Sequence, residues 1–264
     1  MGRHARRDPR QTAAFDRETH GRPRGGTDRD AGSGGRKDPK RSQRRGQRAI
    51  DIFYYYAERA MDYAGERKQP SSQGQNLYTV REPMGVAGLI TPWNYPIAIP
   101  SWKSAPALAT GNTVVLKPAM DAPTVFAKVV ECIDEAADEV GAPDGVFNFV
   151  VGSGEDVGSA IIDHEEVDTV SFTGSRAVGE MVYEQATDQH KRIQTELGSK
   201  NPTVIGPSAD LEEAVNVVGS GAFGVTGQAC TATERVIVHD FAVRRLRGPV
   251  GRVRRGPRHR PRTG

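Results

Sequence analysis

From Gly85 onward the chain alternates short strand-like runs with amphipathic helical stretches, and this alternation restricts the fold more than any other feature. Apolar or β-branched runs lie at Gly85–Ile90, Thr113–Lys117, Val146–Val151, Val167–Phe172, Arg192–Leu197, Thr203–Ile205 and Arg235–His239. Helical spacing appears between them, at Ser101–Ala109, Pro123–Val140, Glu155–Ile162, Ala177–Gln189 and Leu211–Phe223. In Pro123–Val140 the proline suits the first turn, and Val125, Val129, Val130, Ile133 and Ala136 share one face. An earlier helix is expected from Arg48, with Ile50, Phe53, Tyr54, Ala57, Ala60, Met61 and Ala64 at helical spacing. Strands separated by helices predict an α/β fold, a doubly wound parallel sheet covered on both faces. Ligands of such sheets sit beyond the carboxyl ends of the strands, so informative residues should cluster there.

Charge divides the chain. Residues 1–50 carry fifteen Lys or Arg against six Asp or Glu, residues 241–264 carry nine against none, and the middle carries a net −15. Both basic ends are rich in Arg, Gly and Pro or Asp without apolar periodicity, so disorder is expected at 1–47 and 241–264. Out-of-frame text of a GC-rich gene accounts for them better than nucleic-acid arms do, and the acidic middle speaks against a nucleic-acid partner. Two cysteines make no disulfide framework, and no apolar run reaches membrane-spanning length. No secretory signal follows Met1, so a cytoplasmic location is expected.

Several strand ends carry chemistry. Thr91-Pro92-Trp93-Asn94-Tyr95-Pro96 follows the first run, and its two prolines hold the Asn94 amide. A preorganised amide suits a developing oxyanion; an Asx turn is the plainer reading. Lys117 closes its strand where an ammonium can reach a ribose hydroxyl or phosphate, or merely be solvated. Gly152-Ser153-Gly154-Glu155-Asp156-Val157-Gly158 is an imperfect dinucleotide fingerprint, with carboxylates where a pyrophosphate would want none. Phe172-Thr173-Gly174-Ser175 opens a helix whose first turn lacks acids and includes Arg176, which suits a phosphate or a simple N-cap by Ser175. Thr195-Glu196-Leu197-Gly198 offers a carboxylate that can activate water, and Gly227-Gln228-Ala229-Cys230 a thiol that can attack a carbonyl carbon. Alone, such a pair is more often a buried thiol and a solvated charge.

Taken in order, Ile90-Thr91-Pro92-Trp93-Asn94, Gly111-Asn112-Thr113-Val114-Val115-Leu116-Lys117-Pro118-Ala119, Phe172-Thr173-Gly174-Ser175, Glu196-Leu197-Gly198 and Gly227-Gln228-Ala229-Cys230 resemble the aldehyde dehydrogenase superfamily over roughly residues 48 to 240. The resemblance implies a Rossmann-like cofactor domain at 48–196 and the start of a catalytic domain at 197–240. It implies that Cys230 is the nucleophile that forms a thiohemiacetal, that Asn94 with the Cys230 amide holds the oxyanion, and that Glu196 activates the water that hydrolyses the thioester. Free thiols are mostly protonated at neutral pH, so the surroundings must supply activation. Cofactor contacts are implied for Thr91, Pro92, Trp93, Lys117, Gly154, Gly158, Phe172, Thr173, Gly174 and Ser175, with Leu197 beside the nicotinamide. No metal is implied. The expected partner is a small aldehyde, oxidised to an acid because coenzyme-A-acylating members generally lack the glutamate.

Two departures matter. Met120 stands where the family commonly has a glutamate for the adenosine ribose, so NAD or NADP is expected; Ser199 replaces a usual glycine. After His239-Asp240 no family-like sequence follows, so the family's homo-oligomer is not expected, and a truncated chain that only binds a dinucleotide is the alternative to an active enzyme.

Overall fold

The computed structural model describes residues 39–240, with side chains from Gly46 onward. The basic segment before Pro39 and the tail 241–264 lie outside the described residues, and with them the expectation of disorder there. Two compact units divide at Glu196 and Leu197.

The first unit opens with α1 (Pro39–Arg59), which starts earlier than the expected Arg48, so residues 39–47 are helical rather than disordered. Two short antiparallel strands follow, β1 (Arg67–Lys68) and β2 (Leu77–Tyr78). They were not expected: each is two residues long and exposed, with no apolar alternation to announce it. Then come β3 (Val86–Ile90), α2 (Ala98–Ala109), β4 (Thr113–Lys117), α3 (Pro123–Glu139), β5 (Phe147–Phe149), α4 (Ser159–Asp163), β6 (Val167–Gly174), α5 (Arg176–Asp188) and β7 (Arg192–Leu197). Gly85 has φ of 128°, a backbone only glycine adopts readily, so the strand begins one residue late. The expected helix from Glu155 is instead a wide π-turn over Gly154–Gly158 leading into α4.

The five-stranded sheet has the order β5-β4-β3-β6-β7. β3 pairs in parallel with β4 and with β6, and β4 with β5. The chain builds outward from β3 on one side, then returns to its other side with β6. A crevice opens at such a reversal, beyond the carboxyl ends of β3 and β6. Side-chain bonds from Thr169 to the Arg192 carbonyl and from Ser171 to Gln194 advance together, so β7 runs in the direction of β6.

Alternation decides what each face buries. Ala87, Leu89, Val114 and Leu116 pack with Leu108 of α2 and with Phe126 and Ile133 of α3, and Phe126 lies between the rings of Phe147 and Phe149. Gly88 points the other way, where a Cβ would come within 2.5 Å of Ile161 in α4. Helices therefore cover both faces, as a doubly wound sheet requires.

The second unit contains β8 (Pro202–Ile205), α6 (Leu211–Phe223) and β9 (Arg235–Val238). β8 and β9 pair in parallel, and Ile205 packs on Val215 and Val218 of α6. Asp210 caps α6 by accepting from the Glu212 and Glu213 amides, and those two acids also suit the positive end of the helix.

Candidate active site

Every strand of the main sheet ends in an expected site residue. In sheet order these are the Gly154–Gly158 turn after β5, Lys117 on β4, Thr91 to Asn94 after β3, Phe172 to Ser175 on and after β6, and Glu196 on β7. Parallel pairing is what gathers residues more than one hundred positions apart along one edge.

The centre of that edge is chemically unfinished. The hydroxyls of Thr91, after β3, and Thr173, on β6, are buried and have no hydrogen-bond partner among the described residues. A buried hydroxyl left unpaired costs roughly 1–3 kcal/mol. Both flank the reversal, so a polar ligand seated there would satisfy them. Next to them Lys117 is 4% exposed and donates to its neighbour, the Pro118 carbonyl, at 3.0 Å. Burial pushes its ammonium below the ordinary lysine range. A Cβ on Gly158 would meet the Lys117 stem at only ordinary contact distance, 3.9 Å, and one on Gly154 would meet nothing. Gly174 is constrained differently: a Cβ there would come within 2.5 Å of the Phe172 ring, so the ring lies directly over the turn. Trp93 is exposed and Pro92 half-buried.

Two loops are tied up locally. Ser153 accepts from the Asp156 amide at 2.8 Å and donates to the Asp156 carboxylate, so the Gly152–Gly158 segment is a self-capped turn with Glu155 and Asp156 exposed. Ser175 accepts from the Val178 amide at 3.4 Å as N-cap of α5. The Arg176 guanidinium, expected near a phosphate, instead binds Glu180 one turn along the helix at 2.6 Å. Its ion pair is set by helical spacing.

A residue that sequence reasoning missed lies beneath this edge. Lys103, within α2, is 8% exposed, and its ammonium donates to Ser171 at 2.6 Å. Ser171 donates to the Gln194 side-chain oxygen at 2.6 Å, and the Gln194 side-chain amide nitrogen donates to the Glu196 carboxylate at 3.3 Å. Desolvation lowers Lys103 to about 8, partly offset by attraction to Glu196. Glu196 itself is exposed at the strand end, with this chain behind it. The available signal was a single lysine within an otherwise apolar or small-residue helix.

In the second unit Leu197 is half-buried and Cys230 is exposed. The Ala232 amide donates to the Ala229 carbonyl at 3.0 Å, which closes a tight turn with Cys230 and Thr231 at its centre. The amide of the first central residue takes no part in closing such a turn. Cys230 thus sits exposed at the first central position of the turn, with an amide that is not used to close it. Asn201, at the start of β8, donates to the carbonyls of Cys230 and Ala232 at 2.6 and 3.1 Å. Before the turn, Val225, Thr226 and Gly227 have φ of 54°, 56° and 77°, and the Gln228 amide closes a second turn on the Val225 carbonyl. Valine and threonine rarely adopt this backbone.

The sheet order, the crevice at its reversal and the unpaired hydroxyls define the first unit as a dinucleotide-binding type of α/β domain. The chain belongs to the aldehyde dehydrogenase family, whose model matches residues 35–250. It is 60% identical over 194 residues to an α-ketoglutarate semialdehyde dehydrogenase of Haloferax volcanii, covering 74% of this chain and 39% of that one. To the α-ketoglutaric semialdehyde dehydrogenase of Bacillus subtilis it is 44% identical, with 76% and 40% covered. Among solved structures, the NAD+ complex of an aldehyde dehydrogenase from Bacillus cereus matches with a TM-score of 0.75 at 38% identity, covering 80% of this chain and 42% of that chain. Glyceraldehyde-3-phosphate dehydrogenase GapN from Methanocaldococcus jannaschii, complexed with NADP, matches with a TM-score of 0.77 at 34% identity, with 82% and 47% covered. The chain thus spans about two fifths of the curated relatives it matches. Among the described residues no helix is long and apolar enough to cross a membrane, and no group of His, Cys, Asp and Glu is suited to a metal.

Proposed function

We propose that this chain supplies the cofactor edge and the nucleophile of an enzyme that oxidises an aldehyde to a carboxylic acid with NAD or NADP. The observation that carries this reading is the shared edge: the loop bearing Asn94, Lys117, the two unpaired threonine hydroxyls and Glu196 all end strands of one sheet. Likeness to two α-ketoglutarate semialdehyde dehydrogenases supports an aldehyde that carries a carboxylate at its far end.

The cofactor would be held by Lys117, by the Thr91 and Thr173 hydroxyls, by the amides around Ser175 and across the open surface of Gly154. When bound, it supplies the acceptor for the aldehyde hydride. Cys230 adds as thiolate to the carbonyl carbon, and the oxygen becomes an oxyanion that accepts hydrogen bonds from the Cys230 amide and the Asn94 side chain. Loss of hydride leaves a thioester on Cys230. Glu196 then takes a proton from water as its oxygen attacks that carbonyl, and collapse releases the acid and the thiolate. Lys103 is linked to Glu196 through Ser171 and Gln194, a chain of hydrogen bonds that orients the carboxylate.

The test is appearance of reduced nicotinamide when the chain is mixed with NAD or NADP and α-ketoglutarate semialdehyde. Turnover that disappears in Cys230→Ala supports the proposal. Cofactor binding without turnover supports a second reading, dinucleotide binding alone.

A further inference from the structure

We propose that Asn201 is a positioning residue for Cys230, holding the nucleophile's turn in its reactive shape. This role rests on Cys230 being the nucleophile. Asn201 meets the Cys230 segment four times. Its side-chain amide donates to the carbonyls of Cys230 and Ala232, at 2.6 and 3.1 Å, and its own carbonyl accepts from the Glu234 and Arg235 amides, at 3.1 and 3.3 Å. The side chain is thus wedged across the mouth of the turn that the Ala232 amide closes on Ala229.

The asymmetry of the segment explains why such a clamp matters. On the far side of Cys230, Val225 and Thr226 hold left-handed backbone angles that β-branched residues disfavour. Strain on that side favours letting the turn open; on the other side, Asn201 resists it. Binding the Cys230 carbonyl also fixes the peptide plane after the thiol. With the carbonyl held by a donor, the thiol and the Cys230 amide remain available together. An amide is suited to this task because it offers two donors on one nitrogen, one for each carbonyl.

The experiment uses the full chain and reads Cys230 by itself, without aldehyde or cofactor. Iodoacetamide alkylation at pH 7 is followed by peptide mass at Cys230 and at Cys132, the half-buried thiol of the first unit, which serves as a folding control in the same sample. Asn201→Ala removes the clamp, and Asn201→Asp keeps its shape while removing the donors. Both are expected to slow Cys230 alkylation by about threefold or more, the scale of one lost hydrogen bond, with the Cys132 rate unchanged. Asn201→Ser, which retains one donor, is expected to fall between Asn201→Ala and the native chain. An unchanged or faster Cys230 rate, or Cys132 changing in step with Cys230, overturns the proposal. Absence of aldehyde turnover in the native chain would count against the proposed function and leave this measurement standing.

Discussion

Replacing Lys103 by methionine removes a buried ammonium while keeping most of its volume, and the consequence follows from the structure. The side chain is 8% exposed, and burial lowers it from 10.5 to about 8. The unfolded chain holds this proton up to pH near 10.5, whereas the folded chain releases it near 8. Between those values the unfolded state binds more protons, so native stability rises with pH across that window. Below about 8 both states are protonated, and the folded chain carries the full penalty. At about 1.36 kcal/mol per pH unit the span corresponds to roughly 3 kcal/mol. Methionine avoids that penalty but leaves Ser171 without its donor, a loss of about 1 kcal/mol. Lys103→Met is therefore expected to stabilise the chain by roughly 2 kcal/mol at pH 7, and to lose this advantage by pH 10.5. Urea unfolding of both proteins at the two pH values reads the difference, and tyrosine ionisation, common to both, cancels. A variant less stable than the native chain at pH 7, or a difference that does not change with pH, would refute the reasoning.

Three further outcomes are expected. Val225→Asn should stabilise the second unit by about 1 kcal/mol in denaturant unfolding, since asparagine tolerates the left-handed backbone that Val225 is held in; a loss of stability would contradict the strain. Gly88→Ala should destabilise the first unit by about 1–3 kcal/mol, because its Cβ would lie 2.5 Å from the stiff Ile161 side chain and α4 would have to back away; unchanged thermal unfolding would show that α4 yields freely. Met120→Glu should weaken binding of NADP relative to NAD in a titration of the chain, as a carboxylate repels a ribose phosphate; an unchanged ratio would remove Met120 from the cofactor contact.

The sequence by itself determined the order and kind of the main elements. Apolar or β-branched runs and helical spacing place every strand of the main sheet to within a residue or two. Strand-end motifs were legible for the same reason: a parallel sheet puts the carboxyl ends of its strands on one edge, so residues there are chemically conspicuous. Arg176, which the sequence offered to a phosphate, has Glu180 one turn away.

Tertiary structure alone decided the rest. That β6 returns beside β3, leaving the Thr91 and Thr173 hydroxyls buried without partners among the described residues, depends on pairing between distant segments, which no local window contains. Lys103 reads as an ordinary helical lysine until burial against Ser171 makes its charge expensive. β-Branched Val225 and Thr226 disfavour left-handed backbone, yet both adopt it in the turn before Cys230. Asn201 gains its meaning only when β8 and β9 pair and carry the Cys230 carbonyl to its amide. Local propensity is set by neighbours in sequence, whereas desolvation, strain and unpaired donors are set by neighbours in space.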